Sequence, residues 1–323
     1  MWNRFLVCLA LLLICSCKEE TKETVLRLAH GLDINHPVHK AMVHLGEQLA
    51  LESNGLLSVK IYPSGQLGAE RECLELLQIG SLDITKVSGA VLENFVPEYR
   101  VLSMPYLFKD KAHAHRVYDS KVGEEFLLKG KSFRLRGLSF YDAGSRSFYF
   151  KDKAISSPED LNGMKIRVQK SNMAVSMVKM LGGSPTPISW GELYTALQQG
   201  IVDGAENNLP SFYTSKHYEV CKYYSFDEHT AVPDVLLIGT ESWQRLNEQE
   251  RQWLQKAAHS SAIYQRKLWA EAEKEALDAI REAGVKINYP DKSAFVEKVA
   301  GFETELKGNK ESLRLLDAIK KME

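Results

Sequence analysis

Two arginines stand where their side chains could grip an anion. In Met164-Lys165-Ile166-Arg167-Val168 apolar and charged residues alternate. The period of two in a strand then puts Arg167 on the face opposite its apolar neighbours. In Gly144-Ser145-Arg146-Ser147-Phe148 a second arginine follows a glycine at a strand junction. A guanidinium is a planar fork that donates two parallel hydrogen bonds, the geometry a carboxylate accepts. Trp190 at a helix start could add a stacking surface, and Asn207 in a turn an amide that both donates and accepts. The same pattern also fits a plain polar strand face, and at this level both readings stay open.

Other chemistries lack their residues. Gly130-Lys131-Ser132 resembles the end of a phosphate-binding loop, but position 125 is glutamate where the first glycine is needed, so the anion cradle cannot form. The chain has no GxSxG nucleophile turn, no GxGxxG dinucleotide turn and no HExxH pair. His36, His39 and His44 lie near one helix start, the first two spaced to share a face, with His113 and His115 elsewhere, yet no cysteine or carboxylate cluster completes a metal site. They read as structural or capping histidines. Glu124-Glu125 and Glu159-Asp160 fall at helix starts or turns and read as solvated faces. No catalytic residue, metal or cofactor is expected. A formal net charge of -1 without long runs of like charge gives no basic field for nucleic acid.

The elements that would position these residues alternate between strand and helix. Val25–Ala29 reads as a strand, and Pro37 opens a helix with Ala41, Leu45 and Leu49 on one face, stopped by Gly55. Leu57, Val59 and Ile61 alternate as a half-buried strand that Pro63-Ser64-Gly65 ends. A helix over Glu70–Ile79 and a strand over Leu82–Val87 follow. A second cycle begins near Leu135, with strands at Gly137–Asp142, Ser145–Phe150 and Met164–Val168 and helices at Asn172–Leu181 and Trp190–Gln199. Asn247 and Glu250 form a capping-box pair, and no Gly or Pro interrupts the chain from there to Ala283. A helix that long exceeds the ordinary 11–12 residues about threefold and should brace more than one domain. The pattern is that of an α/β protein.

The N-terminal residues are different in kind. Arg4 precedes an apolar stretch from Phe5 to Ile14, which as a helix spans roughly 15 Å, about half a bilayer core. That is a signal segment rather than a membrane span. Ile14-Cys15-Ser16-Cys17 before Lys18-Glu19-Glu20 resembles the lipobox of bacterial lipoproteins, which implies an acylated Cys17. An ordinary signal peptide is the alternative. Of the five cysteines, Cys17, Cys73 and Cys221 would remain in the mature chain. The last two could be a disulfide or two buried thiols.

Several motifs in fixed order resemble one family. They are Tyr62-Pro63-Ser64-Gly65-Gln66-Leu67-Gly68, Leu102-Ser103-Met104-Pro105-Tyr106-Leu107-Phe108, Gly163-Met164-Lys165-Ile166-Arg167-Val168 and Gly183-Ser184-Pro185-Thr186-Pro187. Glu192-Leu193-Tyr194-Thr195-Ala196-Leu197-Gln198 and Val202-Asp203-Gly204-Ala205-Glu206-Asn207 complete the set. The order resembles the substrate-binding proteins of tripartite ATP-independent periplasmic (TRAP) transporters, over essentially the whole mature chain. The resemblance implies two α/β domains around a ligand cleft, periplasmic-binding-protein-like, with crossing strands and a long helix bracing both. The segments would be 1–16 signal peptide, 17–24 tether, 25–143 with 233–272 as domain I, and 144–232 with 273–323 as domain II. By the same resemblance Arg167 makes the main carboxylate salt bridge, with Arg146, Asn207 and Trp190 beside it. Glu70, Arg71, Ser88 and His30 would line the ligand from the first domain. The implied protein is periplasmic, held to the membrane by its lipid alone, and works with integral membrane TRAP subunits.

Ser88 stands where sialic-acid binders show a glutamate, which argues against sialic acid. Ser88-Gly89-Ala90, His36-Pro37-Val38-His39-Lys40 and Asp227-Glu228-His229-Thr230 resemble the branch that takes uronates such as glucuronate and galacturonate. The expected ligand is therefore a small organic acid, in particular a sugar acid. The rival readings are a binder of C4-dicarboxylates or other organic acids, an ectodomain that senses a ligand and signals, and an enzyme on the same scaffold.

Overall fold

The structure, a computed structural model, describes residues 23–322. The signal segment, Cys17 and most of the tether lie outside the described residues.

From its first described strand the chain alternates β1 (Thr24–Ala29), α1 (Pro37–Glu52), β2 (Leu57–Tyr62), α2 (Glu70–Gln78) and β3 (Ile84–Ser88). Helix α1 starts where expected: Pro37 sits in the first turn, and the His36 side chain caps it by accepting from the Val38 amide at 3.2 Å. Its Ala41, Leu45 and Leu49 face is buried. The stretch after β3 holds a single helical turn at Gly89–Leu92 and then two short helices, α3 (Lys111–Tyr118) and α4 (Lys121–Lys129), before β4 (Leu135–Tyr141). The second cycle runs β5 (Arg146–Phe150), β6 (Lys165–Val168), α5 (Asn172–Met180), β7 (Ser184–Pro187), α6 (Leu193–Gln198), β8 (Gly204–Asn207), α7 (Leu209–Thr214) and β9 (Tyr223–Thr230). The chain then returns through β10 (Asp234–Gly239), the long α8 (Glu248–Glu282), β11 (Lys286–Asn288) and the C-terminal α9 (Lys310–Lys320).

These strands form two mixed sheets, β2-β1-β3-β10-β4 and β11-β9-β5-β8-β6-β7. In the first, β1 pairs in parallel with β2 and β3, while β10 runs antiparallel between β3 and β4. The chain crosses between sheets three times, from β4 to β5, from β9 back to β10 and, through α8, from β10 to β11. Gly144 lies in the first crossing with φ +57°, and a Cβ there would sit 2.9 Å from Trp269 Nε1 and 2.7 Å from Glu273 Oε1. The crossing passes that close to α8 only because the residue is glycine.

Helix α8 has 35 residues, about 52 Å at 1.5 Å per residue, and Asn247 and Glu250 form its capping box. Its early apolar residues, Leu254 to Trp269, pack with Leu26, Leu28 and Leu236 of the first sheet. Ala276 and Ile280 pack instead with Tyr149 and Tyr224 of the second. One helix therefore contributes to both cores and braces the pair. Helix α9 lies against the Pro97–Ser103 turn and α4, where Lys129 pairs with Glu311 and Arg314 with Glu125. Cys73 and Cys221 are both buried free thiols, pushed up by burial to about 11 and about 12.

Candidate ligand-binding site

A cavity of about 420 Å³ opens between the two sheets, large enough for a small organic ligand. Of the eight residues expected to line it, Arg167, Arg146, Asn207, Trp190, Glu70, Arg71 and Ser88 do so.

Strand β6 presents Arg167 from the second-sheet wall. The side chain is 2% exposed, and its Nε donates to the Ile188 carbonyl at 2.9 Å. The Trp190 ring centroid lies 5.8 Å from its guanidinium carbon. Nη1 is buried with no partner among the described residues. Burial disfavours the charge and lowers the pKa, and the more distant Tyr149, Glu206 and Glu70 do not make up for it. A buried cation aimed into a cavity without a counter-ion is poised for an anion.

Arg146 is differently placed. Its fork is already filled: Nε donates to Glu206 Oε2 at 2.5 Å and Nη2 to Oε1 at 2.9 Å. Nη1 donates to Asn207 Oδ1 at 2.9 Å. Asn207 Oδ1 also accepts from the Asn208 amide at 2.8 Å, so the amide orientation is fixed and Nδ2 is the part left to a ligand. Arg146 therefore reaches the cavity as a neutralised group that orients Asn207.

On the first-sheet wall Glu70 starts α2, and its Oε1 accepts from the Ser88 amide at 3.0 Å and from Lys86 Nζ at 3.2 Å. Ser88 Oγ reaches across the cleft to Gln169 Oε1 at 3.4 Å. Arg71 is half-exposed at the mouth and paired with Glu75 at 3.1 Å. His30 does not reach the cavity, although its neighbours Gly31 and Leu32 do. Its Nδ1 accepts from the Leu32 amide at 3.1 Å and its Nε2 lies 3.0 Å from His39 Nδ1. Burial lowers its pKa to about 3, so it is a neutral support for the lining loop.

Lys86, Asp234, His36, Ser211 and Gln169 line the cavity without having been singled out from sequence as site residues. Lys86 and Asp234 sit on central strands β3 and β10, which are buried throughout, so alternation gives no sign of a polar face. His36 joins the walls through a 3.2 Å contact between its Nε2 and Ser211 Oγ. Further contacts tie the cleft's two sides. Glu93 Oε1 accepts from Ser171 Oγ at 2.9 Å and from the Met173 amide at 3.0 Å, and Asn94 Nδ2 donates to the Lys170 carbonyl at 2.7 Å.

Comparison with known proteins agrees with this geometry. The family model for bacterial extracellular solute-binding proteins, family 7, matches residues 28–305. YiiZ, an uncharacterised protein of Salmonella typhimurium, is 41% identical over 86% of this chain and 85% of its own. A TRAP periplasmic solute-binding protein from Bradyrhizobium sp. BTAi1, solved with α/β-D-galacturonate, superposes with a TM-score of 0.90 at 38% identity, covering 92% of this chain and 100% of its own. Another from Anaerococcus prevotii, solved with α/β-D-glucuronate, gives 0.90 and 38% over 93% of this chain and 98% of its own. The matches carry the two-domain architecture, the cleft and the long brace together. The chain belongs to the family 7 bacterial extracellular solute-binding proteins and is the periplasmic solute-binding component of a TRAP transporter.

Proposed function

We propose that the cavity captures a sugar acid such as glucuronate or galacturonate and delivers it to the membrane subunits. The observation that carries this reading is the buried Arg167 guanidinium, whose Nη1 has no partner among the described residues, at a cavity that also presents hydrogen-bonding groups. Support comes from the similar structures solved with galacturonate and glucuronate. A carboxylate on the fork gains charge-assisted hydrogen bonds worth about 1.5–3 kcal/mol each. Micromolar affinity requires about 8 kcal/mol, so hydroxyl contacts and closure of the two domains supply the remainder. The ligand closes the cleft only by binding the closed form more tightly. The closed form is then what the membrane subunits receive, and the cavity's role is capture without chemical change.

The test is calorimetric titration of the unlipidated mature protein with glucuronate, galacturonate and succinate. Saturable micromolar binding of a uronate is the expected result. Heat from succinate with none from either uronate would refute the reading. We also propose that Cys17 carries the lipid that tethers the protein, since the residues before it form the expected signal segment. More than one acyl chain is needed for stable anchoring. Cys17→Ser should then move the protein from the membrane fraction to the soluble one, and an unchanged distribution would exclude the anchor.

A further inference from the structure

Buried charge is unevenly shared between the two walls of the cavity. On the second-sheet wall Glu206 neutralises Arg146, which leaves Arg167 as the buried cation without a counter-ion. On the first-sheet wall the buried cation is Lys86, 4% exposed, and it is outnumbered. Its Nζ lies 3.2 Å from Glu70 Oε1 and 3.2 Å from Asp234 Oδ2. The imidazoles near enough to feel Lys86 add no charge. Burial holds His30 at about 3 and His36 well below the ordinary histidine range. Arg71 and Lys170 stand at the exposed mouth, in water and away from this wall, and Arg71 is paired with Glu75.

The sum on the first-sheet wall is one positive charge against two negative. Burial raises the pKa of Asp234 although Lys86 opposes it. Were that carboxyl to take a proton, the sum would reach zero, never a positive value. A second carboxylate on the ligand would lose its hydration there and meet no uncommitted cation. A hydroxyl fits the same wall well, because it can donate to Glu70 or Asp234 while accepting from Lys86.

We propose that the Lys86–Glu70–Asp234 cluster is a charge filter: it admits ligands with one carboxylate and hydroxyls along the rest, and rejects aldarates and other dicarboxylates. This rests on the sugar-acid reading, with Arg167 as the anchor for the single carboxylate. Selection is made by repulsion at the far wall as much as by attraction at the near one.

The experiment is calorimetry on the unlipidated mature protein, with glucuronate titrated directly and glucarate, its monoamide and gluconate measured by competition. Like charges brought together at a buried wall cost enough that glucarate should bind about 100-fold more weakly than glucuronate. The monoamide, which lacks the second charge, should recover at least about tenfold of that loss. Asp234→Asn and Glu70→Gln should each narrow the glucuronate-to-glucarate ratio by about tenfold. Apo melting checks that the variants fold, and the monoamide comparison needs no variant. Wild type that binds glucarate within threefold of glucuronate, or a monoamide no better than glucarate, would overturn the filter and leave the sugar-acid reading intact. Wild type that binds no sugar acid at all would remove that reading and the filter together.

Discussion

Arg167→Met is expected to abolish measurable glucuronate binding while leaving the empty protein at least as stable as the wild type. The two halves of this result have one cause. Arg167 is buried, its Nη1 has no partner among the described residues, and a single bond from Nε to the Ile188 carbonyl holds it. Keeping an ion out of water without a counter-ion costs several kcal/mol. Methionine fills similar space without that penalty, and its debits are the unpaired Ile188 carbonyl, worth about 1 kcal/mol, and the weak cation–π contact with Trp190. Binding goes the other way. Two charge-assisted bonds to the carboxylate amount to about 3–6 kcal/mol, or roughly 100-fold to more than 10,000-fold in affinity. The site thus stores instability that the ligand relieves, a trade between function and stability. Titration with glucuronate beside calorimetric melting of the apo protein measures both. A variant that loses binding and also melts several degrees lower would make Arg167 a structural residue rather than the anchor.

The contrast between the two arginines shows what the sequence could reveal. Alternation in Met164–Val168 placed Arg167 away from the apolar residues, and the structure puts it in the cavity. Arg146 stands out only by its place after a glycine at a strand junction, with the resemblance setting it beside Arg167, and its fork is occupied by Glu206. Strand periodicity tells which way a side chain points and not whether a partner on another strand has already claimed it. Lys86 shows the opposite failure. In Ile84-Thr85-Lys86-Val87-Ser88 every residue is buried, so a lysine with two acidic partners reads as a polar interruption. Those partners, Glu70 and Asp234, come from a helix and a strand far away in the chain. Long-range elements with strong local signals were easier to read. The capping box at Asn247 and the absence of Gly and Pro after it marked α8 within a residue of its observed ends. Helices α3 and α4 span eight and nine residues, too short for a periodicity to stand out, although Asp110 and Ser120 cap them by side-chain bonds.

Replacing Glu206 by glutamine is expected to destabilise the protein by about 3–5 kcal/mol, because it breaks a buried ionic cluster by removing one member. Glu206 is 2% exposed, accepts from Arg146 and lies 3.5 Å from His229 Nε2. His229 Nδ1 is in turn 2.6 Å from Asp227 Oδ2. Two cations and two anions balance, and the variant leaves one positive charge in excess. The cluster also sets a pH signature. Burial opposes ionisation of Glu206, but Arg146 and His229 outweigh it and hold the carboxyl at about 2 instead of 4.5. Its contribution is complete above pH 4.5 and is lost as pH falls toward 2. Burial likewise opposes the His229 imidazolium, yet Asp227 and then Glu206 raise it from 6.5 to about 9. That contribution is complete below pH 6.5 and is lost as pH rises toward 9, a change of about 3 kcal/mol. Between these limits the cluster is at full strength. Melting followed from pH 4 to pH 9.5 should show the wild type losing stability on the alkaline side, and Glu206→Gln losing less of it because His229 has lost one of its two anions. Equal melting of the wild type at pH 6 and pH 9 would show that His229 is not held as an imidazolium. A variant within about 1 kcal/mol of the wild type at pH 6 would show that Arg146 does not depend on Glu206 for its charge balance.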